Sequence, residues 1–282
     1  VSQTRAVLLL ALTAIMWSMG GLLIKSISLH PLAIASFRSL IAAPVLWIAC
    51  NRKPQFLNNR VQWIGAICLV GTVMLFVAST KLTTAANSIL LQYTAPLYVA
   101  LLSGSILRER ISKWDWLSLI AIFCGMILFF FDKMSADHLL GNILAAISGI
   151  SYAGIVICLR LQKGKSTAET LLLGHLLTAA CGLPFLLMGP MPSQDDVLRI
   201  VILGVFQLGI PYAIYAVAIS HVNALESTLV TMIEPVLNPL WVALFLGERP
   251  TGNALIGGII VLLAVLAHTF LKRRFKVESV PF

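Results

Sequence analysis

Residues 227–241 set Ser227, Thr231, Glu234, Asn238 and Trp241 at steps of four, three, four and three. That spacing puts all five on one face of a helix. Everything around them is apolar, so a stripe of hydroxyl, carboxyl and amide groups runs through a segment suited to hydrocarbon. In that setting Glu234 can bind a substrate amine or carry a proton. The plainer alternative is a protonated structural carboxyl bonded to a neighbour, because a charge at mid-membrane costs about 2.5–3.5 kcal/mol even on insertion scales. Pro235 has no N–H for the carbonyl of Thr231, which leaves that oxygen open to a ligand or water. Glu226, nearer the start of the segment, is expected to do no more than favour a helix N-terminus.

A second stripe holds Ser88, Gln92 and Ala95, flanked by Asn87 and Tyr98, and Pro96 frees the carbonyl of Gln92 in the same way. Rings also lie deep inside apolar segments: Trp17, Tyr93, Tyr152, Tyr212 and Tyr215. Interfacial anchoring does not explain midplane rings, and buried polar tips need partners, so a pocket of π-faces and hydroxyls for a planar or amphipathic ligand is the expectation. Tyr212 and Tyr215 are expected to point different ways, which makes packing the competing reading for that pair. Arg38 either captures a substrate carboxylate or, the reading preferred on sequence alone, snorkels outward to pair with a helix end. His175 either carries a proton or packs as a hydrogen-bonded core histidine.

The elements that must position these groups follow from composition. The chain has 282 residues, 59% of them hydrophobic and only 11% charged, with a mean hydropathy of +0.94. So few charges cannot coat a soluble domain, and an all-α membrane protein follows. A span needs about 20 mostly apolar residues, and ten segments qualify: roughly 6–26, 32–50, 61–80, 83–107, 114–131, 139–160, 168–188, 197–220, 222–246 and 252–271. No room remains for a soluble catalytic or nucleic-acid-binding domain, and the first segment is expected to be a permanent helix and not a cleaved signal. With the N-terminus in the cytoplasm, the inner loops carry fourteen Lys and Arg and the outer loops five, with Arg38 left inside a span. That bias predicts both termini inside. Trp47, Trp63, Trp114 and Trp116 then fall near the inner interface, and five scattered cysteines show neither zinc nor disulfide spacing.

An internal repeat runs through the chain. "SILLQYTAPLYVALLSGSILRER" (88–110) aligns without a gap on "STLVTMIEPVLNPLWVALFLGER" (227–249), an offset of 139 residues. A looser match at offset 135 pairs Thr13 with Ser148, Trp17 with Tyr152 and Lys25 with Arg160. Ten transmembrane helices therefore divide into two five-helix repeats, 1–135 and 136–282, and because five is odd the second is inverted. Inverted repeats are a recurring plan of alternating-access carriers, with substrate near the midplane between them. The Ala145-Gly149-Ala153 row and Gly20-Gly21 would let helices approach and slide.

Ten spans in two repeats, each with a proline-centred fourth helix ending in "RER" or "GER", resemble the drug/metabolite transporter superfamily and within it the EamA-type exporters. The sequence is also similar to YddG-type aromatic amino-acid exporters of bacterial inner membranes. The resemblance implies export of amino acids or similar small-molecule metabolites without nucleotide hydrolysis; no cofactor or metal is expected, and the protein is expected to be a monomer whose other partner is the lipid bilayer. On the residues, the substrate-binding candidates are Trp17, Asn87, Ser88, Gln92, Tyr93, Tyr98, Tyr152, Thr231, Glu234 and Asn238. Arg38, His175, Tyr212 and Tyr215 are the pathway or coupling candidates. "KGKST" at 163–167 is no phosphate-binding loop, since Leu159 stands where the motif needs glycine. An intramembrane enzyme finds no HExxH, paired aspartates or GxSxG. A passive channel or facilitator remains the alternative, separated from a carrier by saturable, counter-substrate-stimulated flux.

Overall fold

The structure, a computed structural model, describes residues 1–51, 53–56, 59–133, 138–162, 166–237, 241 and 251–274. Among these residues the regular elements are helices, with no strand. In chain order they are α1 (Gln3–Trp17), α2 (Gly20–Ser26), α3 (Pro31–Ala49), α4 (Arg60–Leu82), α5 (Ala85–Gln92), α6 (Ala95–Leu102), α7 (Lys113–Phe130), α8 (Leu139–Gln162) and α9 (Thr167–Leu187). There follow α10 (Gln194–Ile202), α11 (Ile210–Ala218), α12 (Ala224–Thr231) and the C-terminal helix Gly252–Arg274. Nine helical stretches among the described residues are long and apolar enough to cross a membrane. The segment expected at 222–246 falls partly outside the described residues; α12, the helical residues 233–237 and Trp241, whose Nε1 donates to Ser18 Oγ at 2.7 Å, are among its described parts.

Helix starts are built from short polar side chains. Asn59, Thr84 and Ser193 accept the N–H groups of Val61, Asn87 and Asp196 at 2.9, 3.0 and 3.1 Å, and Ser112 with Asp115 forms a capping box. Each cap satisfies a donor that the first turn leaves unbonded. The outer faces are apolar: Leu8, Leu12 and Ile15 on α1, and Ile256, Ile259, Leu263 and Leu266 on the C-terminal helix, are 42–64% exposed. Such rows suit lipid, where leaving them uncovered costs nothing.

The packing reproduces the repeat. Counting membrane-crossing stretches in order, α4 of the third packs on α8 of the sixth, and α1 of the first on α11 of the eighth; α3 packs on α9, and α7 on the C-terminal helix. Exchanging the halves swaps the first two contacts and maps the last two onto themselves. Hydrogen bonds follow the same rule. Ser148 Oγ donates to the carbonyl of Thr72 at 3.0 Å, while the hydroxyl of its repeat mate Thr13 lies 3.4 Å from the carbonyl of Pro211, mate of Thr72, and 3.0 Å from that of Leu9 in its own helix.

Four stretches are not the continuous helices expected from hydropathy, among them the ninth, which breaks at Met232 between α12 and the helical residues 233–237. The first breaks after Trp17 at Ser18 and Met19, with no proline in the break, and resumes at Gly20-Gly21. The fourth breaks at Tyr93 and Thr94, just before Pro96 at the start of α6. The eighth passes through a π-helical segment, Leu203–Gly209. Pro211 has no N–H for the carbonyl of Gln207, and Ile210 N–H bonds Val205 five residues back instead.

At one end of the bundle Lys81 donates to the carbonyls of Lys25 (3.2 Å) and Ile27, Lys25 to that of Thr83 (3.3 Å), and Arg199 to that of Ser26 (3.1 Å). At the other end Arg160 Nε pairs with Glu109 Oε1 at 2.7 Å. Arg160 Nη1 also donates to the carbonyls of Ile219 and Ser220 at 3.3 and 3.0 Å, and Ala224 N–H donates to Glu109 Oε2 at 3.0 Å. Glu109 of the first half thereby caps α12 of the second. Glu226, in the first turn of α12 as expected, additionally accepts from Gln3 Nε2, 3.2 Å from each oxygen.

Candidate functional site

The helix breaks converge on one small cavity. Its wall takes Trp17 from the end of α1, Gln92 and Tyr93 from the end of α5, and Glu234 just beyond the end of α12. Arg38 of α3, Thr72, Val73 and Phe76 of α4, Tyr152 of α8, Gln207 and Leu208 of the π segment, and Tyr212 of α11 complete it. The volume is about 40 Å³. That accommodates water, whereas pockets for small organic ligands are about 300–1,000 Å³. A substrate can enter only if the surrounding helices move apart.

Rings form most of one wall. Trp17 lies 6.3 Å from Tyr152 edge-on, 5.1 Å from Tyr212 and 5.4 Å from Tyr215, centroid to centroid. Tyr93 meets Tyr152 edge-on at 6.4 Å. The hydroxyls reach the second broken helix. Tyr152 OH lies 3.2 Å from Thr231 Oγ1, whose own proton goes to the carbonyl of Thr228 at 3.0 Å. Tyr93 OH stands between two acceptors, the Thr231 carbonyl at 3.2 Å and Glu234 Oε2. One hydroxyl proton serves one of them well. Both are satisfied when Glu234 carries a proton of its own and donates it to Tyr93, which then donates to the carbonyl that Pro235 leaves free. At the first break Gln92 Nε2 donates to Ser148 Oγ at 2.7 Å. The Gln92 carbonyl lies against Gly149, where a Cβ would stand 2.8 Å from it and 2.9 Å from the carbonyl of Leu91. Only glycine lets α8 pass this close.

The pattern of the EamA-like transporter family is matched twice, over residues 4–131 and 139–270. This chain belongs to the EamA-like transporter family. An "Uncharacterized transporter" of Archaeoglobus fulgidus is 30% identical over 198 residues, covering 69% of this chain and 71% of that one. The "Uncharacterized transporter YwfM" of Bacillus subtilis is 22% identical over 265 residues, 88% of each chain. The human "Solute carrier family 35 member G1" is 26% identical over 174 residues, 55% of this chain and 47% of that one. A solved crystal structure shares the fold with a TM-score of 0.80 at 20% identity, covering 97% of this chain and 100% of its own. The chain is thus a multi-pass membrane protein of a transporter family, and the three relatives above carry the names of transporters or of a solute carrier.

In this EamA-like transporter Trp17, Gln92, Tyr93, Tyr152 and Glu234 line the cavity together, with Thr231 bonded just behind the tyrosines. Ser88 and Tyr98 are not in its wall: the Ser88 hydroxyl is buried, and Tyr98 packs on the apolar core. Asn87 lies apart, donating from Nδ2 to Asn142 Oδ1 at 2.9 Å beside Thr83. Asn238 lies outside the described residues. Ser227 bonds the carbonyl of Ala224 at 2.7 Å and Tyr215 OH at 3.3 Å.

Two expectations are overturned. Arg38 does not snorkel: it is 2% exposed and faces the cavity. Its helix packs on α9 and on the π segment, which close the route outward. Tyr212 and Tyr215 do not diverge, because residues three apart share a helix face, and both rings rest on Trp17. Behind Tyr212, at 5.1 Å, His175 is fully buried with Nδ1 3.2 Å from Ser39 Oγ. Gln207 is the functional candidate that sequence reasoning missed. Its signal was a lone amide in an apolar run shortly before Pro211.

Proposed function

We propose that this protein is a ten-span inner-membrane carrier that exports small metabolites, chiefly amino acids with aromatic or bulky apolar side chains, by alternating access. Its halves are residues 1–135 and 136–282, inverted relative to each other, with both termini in the cytoplasm, and the carrier works as a monomer. The observation that carries this reading is the ring wall of Trp17, Tyr93, Tyr152 and Tyr212 facing one cavity with the Glu234 carboxyl. Rings offer an apolar side chain a stacking surface, and a carboxyl offers an ammonium group a partner. The cavity draws on both halves, so tilting one against the other would open it to alternate sides. A competition assay in proteoliposomes tests the substrate: unlabelled aromatic and large apolar amino acids should displace a labelled one better than glycine or threonine does. A flat panel would overturn it. Single cysteines in a cysteine-free background test the orientation. A label at Lys113 should react from the cytoplasm and one at Thr251 from outside, and same-side labelling would refute the inversion.

A further inference from the structure

A guanidinium inside an apolar bundle needs an anion. Arg38 lies in the second turn of α3, is 2% exposed and faces the cavity. Its Nη1 donates to Gln207 Oε1 at 3.2 Å, and its Nε has no hydrogen-bond partner among the described residues. No ion pair within 4.0 Å joins it to an acidic side chain among those residues. A neutral amide oxygen satisfies one of five guanidinium donors and none of the charge. Burying a charge without a counter-ion is unfavourable, and an anionic ligand relieves that each time it binds.

Gln207 is held for this purpose by its surroundings. The π segment turns it into the cavity, and Gly20, at the restart of the first stretch, leaves it room: a Cβ there would stand 2.7 Å from Gln207 Nε2. With the amide oxygen on Arg38, the Nε2 donors are free to join the guanidinium donors on one acceptor group. We propose that Arg38, positioned by Gln207, receives the carboxylate of the transported molecule. The planar fork of a guanidinium matches a carboxylate two-to-two. A single cation suits a single negative charge, so a phosphate dianion would remain half-neutralised. This rests on the cavity being the transport site, and it narrows the substrate class: a carboxylate is required, and with Glu234 in the same wall the best ligand is a zwitterion.

The test is isothermal titration of the full chain in lipid nanodiscs with phenylalanine, 3-phenylpropionate, which lacks the amine, and phenethylamine, which lacks the carboxylate, each with and without chloride. Phenylalanine should bind best and phenethylamine at least about tenfold more weakly than 3-phenylpropionate, a gap of about 1.4 kcal/mol. Arg38→Gln should erase that ranking, Arg38→Lys should keep part of it, and Gln207→Leu should narrow it several-fold while melting and monodispersity stay normal. If Arg38→Gln does not fold, the other two variants decide. Phenethylamine binding as tightly as phenylalanine would overturn the proposal, as would an unchanged ranking in the folded variants or an Arg38 that responds to chloride alone. If lactate or another carboxylate without a ring binds in an Arg38-dependent way while phenylalanine does not, the carboxylate site stands and the aromatic amino-acid reading falls. If no carboxylate binds, both fall.

Discussion

The two halves break their fourth helix at the same register and furnish the break differently. In the first half α5 ends at Gln92 and α6 begins at Ala95; in the second α12 ends at Thr231 and helix resumes at 233. Adding the repeat offset of 139 residues to Gln92 gives Thr231, where the second break starts, and its helix resumes one residue sooner than the offset from Ala95 gives. At the first, the free carbonyl is packed under Gly149 and the position after the break is Ala95, so the break is filled by backbone. At the second, the free carbonyl takes the Tyr93 hydroxyl and the mate of Ala95 is Glu234. The shared prolines fix the geometry, and the side chains differentiate it: one break is packed against backbone and the other carries a carboxyl.

Substitutions that exchange these characters should have unequal consequences. The largest effect is expected at Gly149→Ala, whose methyl would meet two backbone carbonyls inside 3.0 Å that have no rotamer to yield. Overpacking of this kind costs about 1–3 kcal/mol. Its repeat mate is already Ala14, so a Ser substitution there should cost less. Thermal melting of both variants measures the difference, and equal losses would mean that the first break is not held by packing.

Next comes the charge. Glu234→Gln preserves shape and should fold, yet uptake should fall by about tenfold, the equivalent of about 1.4 kcal/mol, and lose its dependence on pH. Ala95→Ser at the mate position should stay within about twofold. A pH series on both variants decides: if Glu234→Gln keeps wild-type flux throughout, the carboxyl is structural and the two breaks are functionally alike.

The narrowest effect, one of selectivity between substrates, belongs to the ring wall that faces both breaks. Trp17→Ala should weaken phenylalanine more than threonine by about two- to twelve-fold, since ring contacts add about 0.5–1.5 kcal/mol beyond buried area. A loss shared equally by both substrates, in protein with normal yield and monodispersity, would make Trp17 a packing residue.

Much of this was legible in the chain. Hydropathy marked the spans, and the offset of 139 residues joined Gln92 to Thr231 and Ala95 to Glu234 before any helix was placed. Prolines announced two of the breaks. The break at Ser18 and Met19 was not legible, because no residue there forbids a helix; it follows from packing that glycines 20 and 21 permit. Arg38 was misread since snorkelling depends on a free path to the interface, which is a property of neighbouring helices. Tyr212 and Tyr215 were misjudged on periodicity alone. Gln207 was overlooked because an α-helical register, without the π segment, gives no reason to turn it inward.

The clasp of Glu109 with Arg160 and the first turn of α12 makes the two mouths of the protein unequal. At that end a charged pair, Glu109 with Arg160, joins the halves, whereas among the described residues the opposite end is joined by Arg199 bonded to the carbonyl of Ser26, by Ser28 N–H on Asp196 and by Asn253 on Asp132. A hydrogen bond to a charged group contributes about 1.5–3 kcal/mol, so the need to break the clasp raises the barrier to opening there by a corresponding amount. An empty transporter should therefore wait with the Glu109 mouth shut, and its traffic should be paced by how often that mouth releases. Cysteine probes placed inside each mouth of substrate-free protein would read this waiting state directly; equal labelling from both would show that the clasp sets no pace.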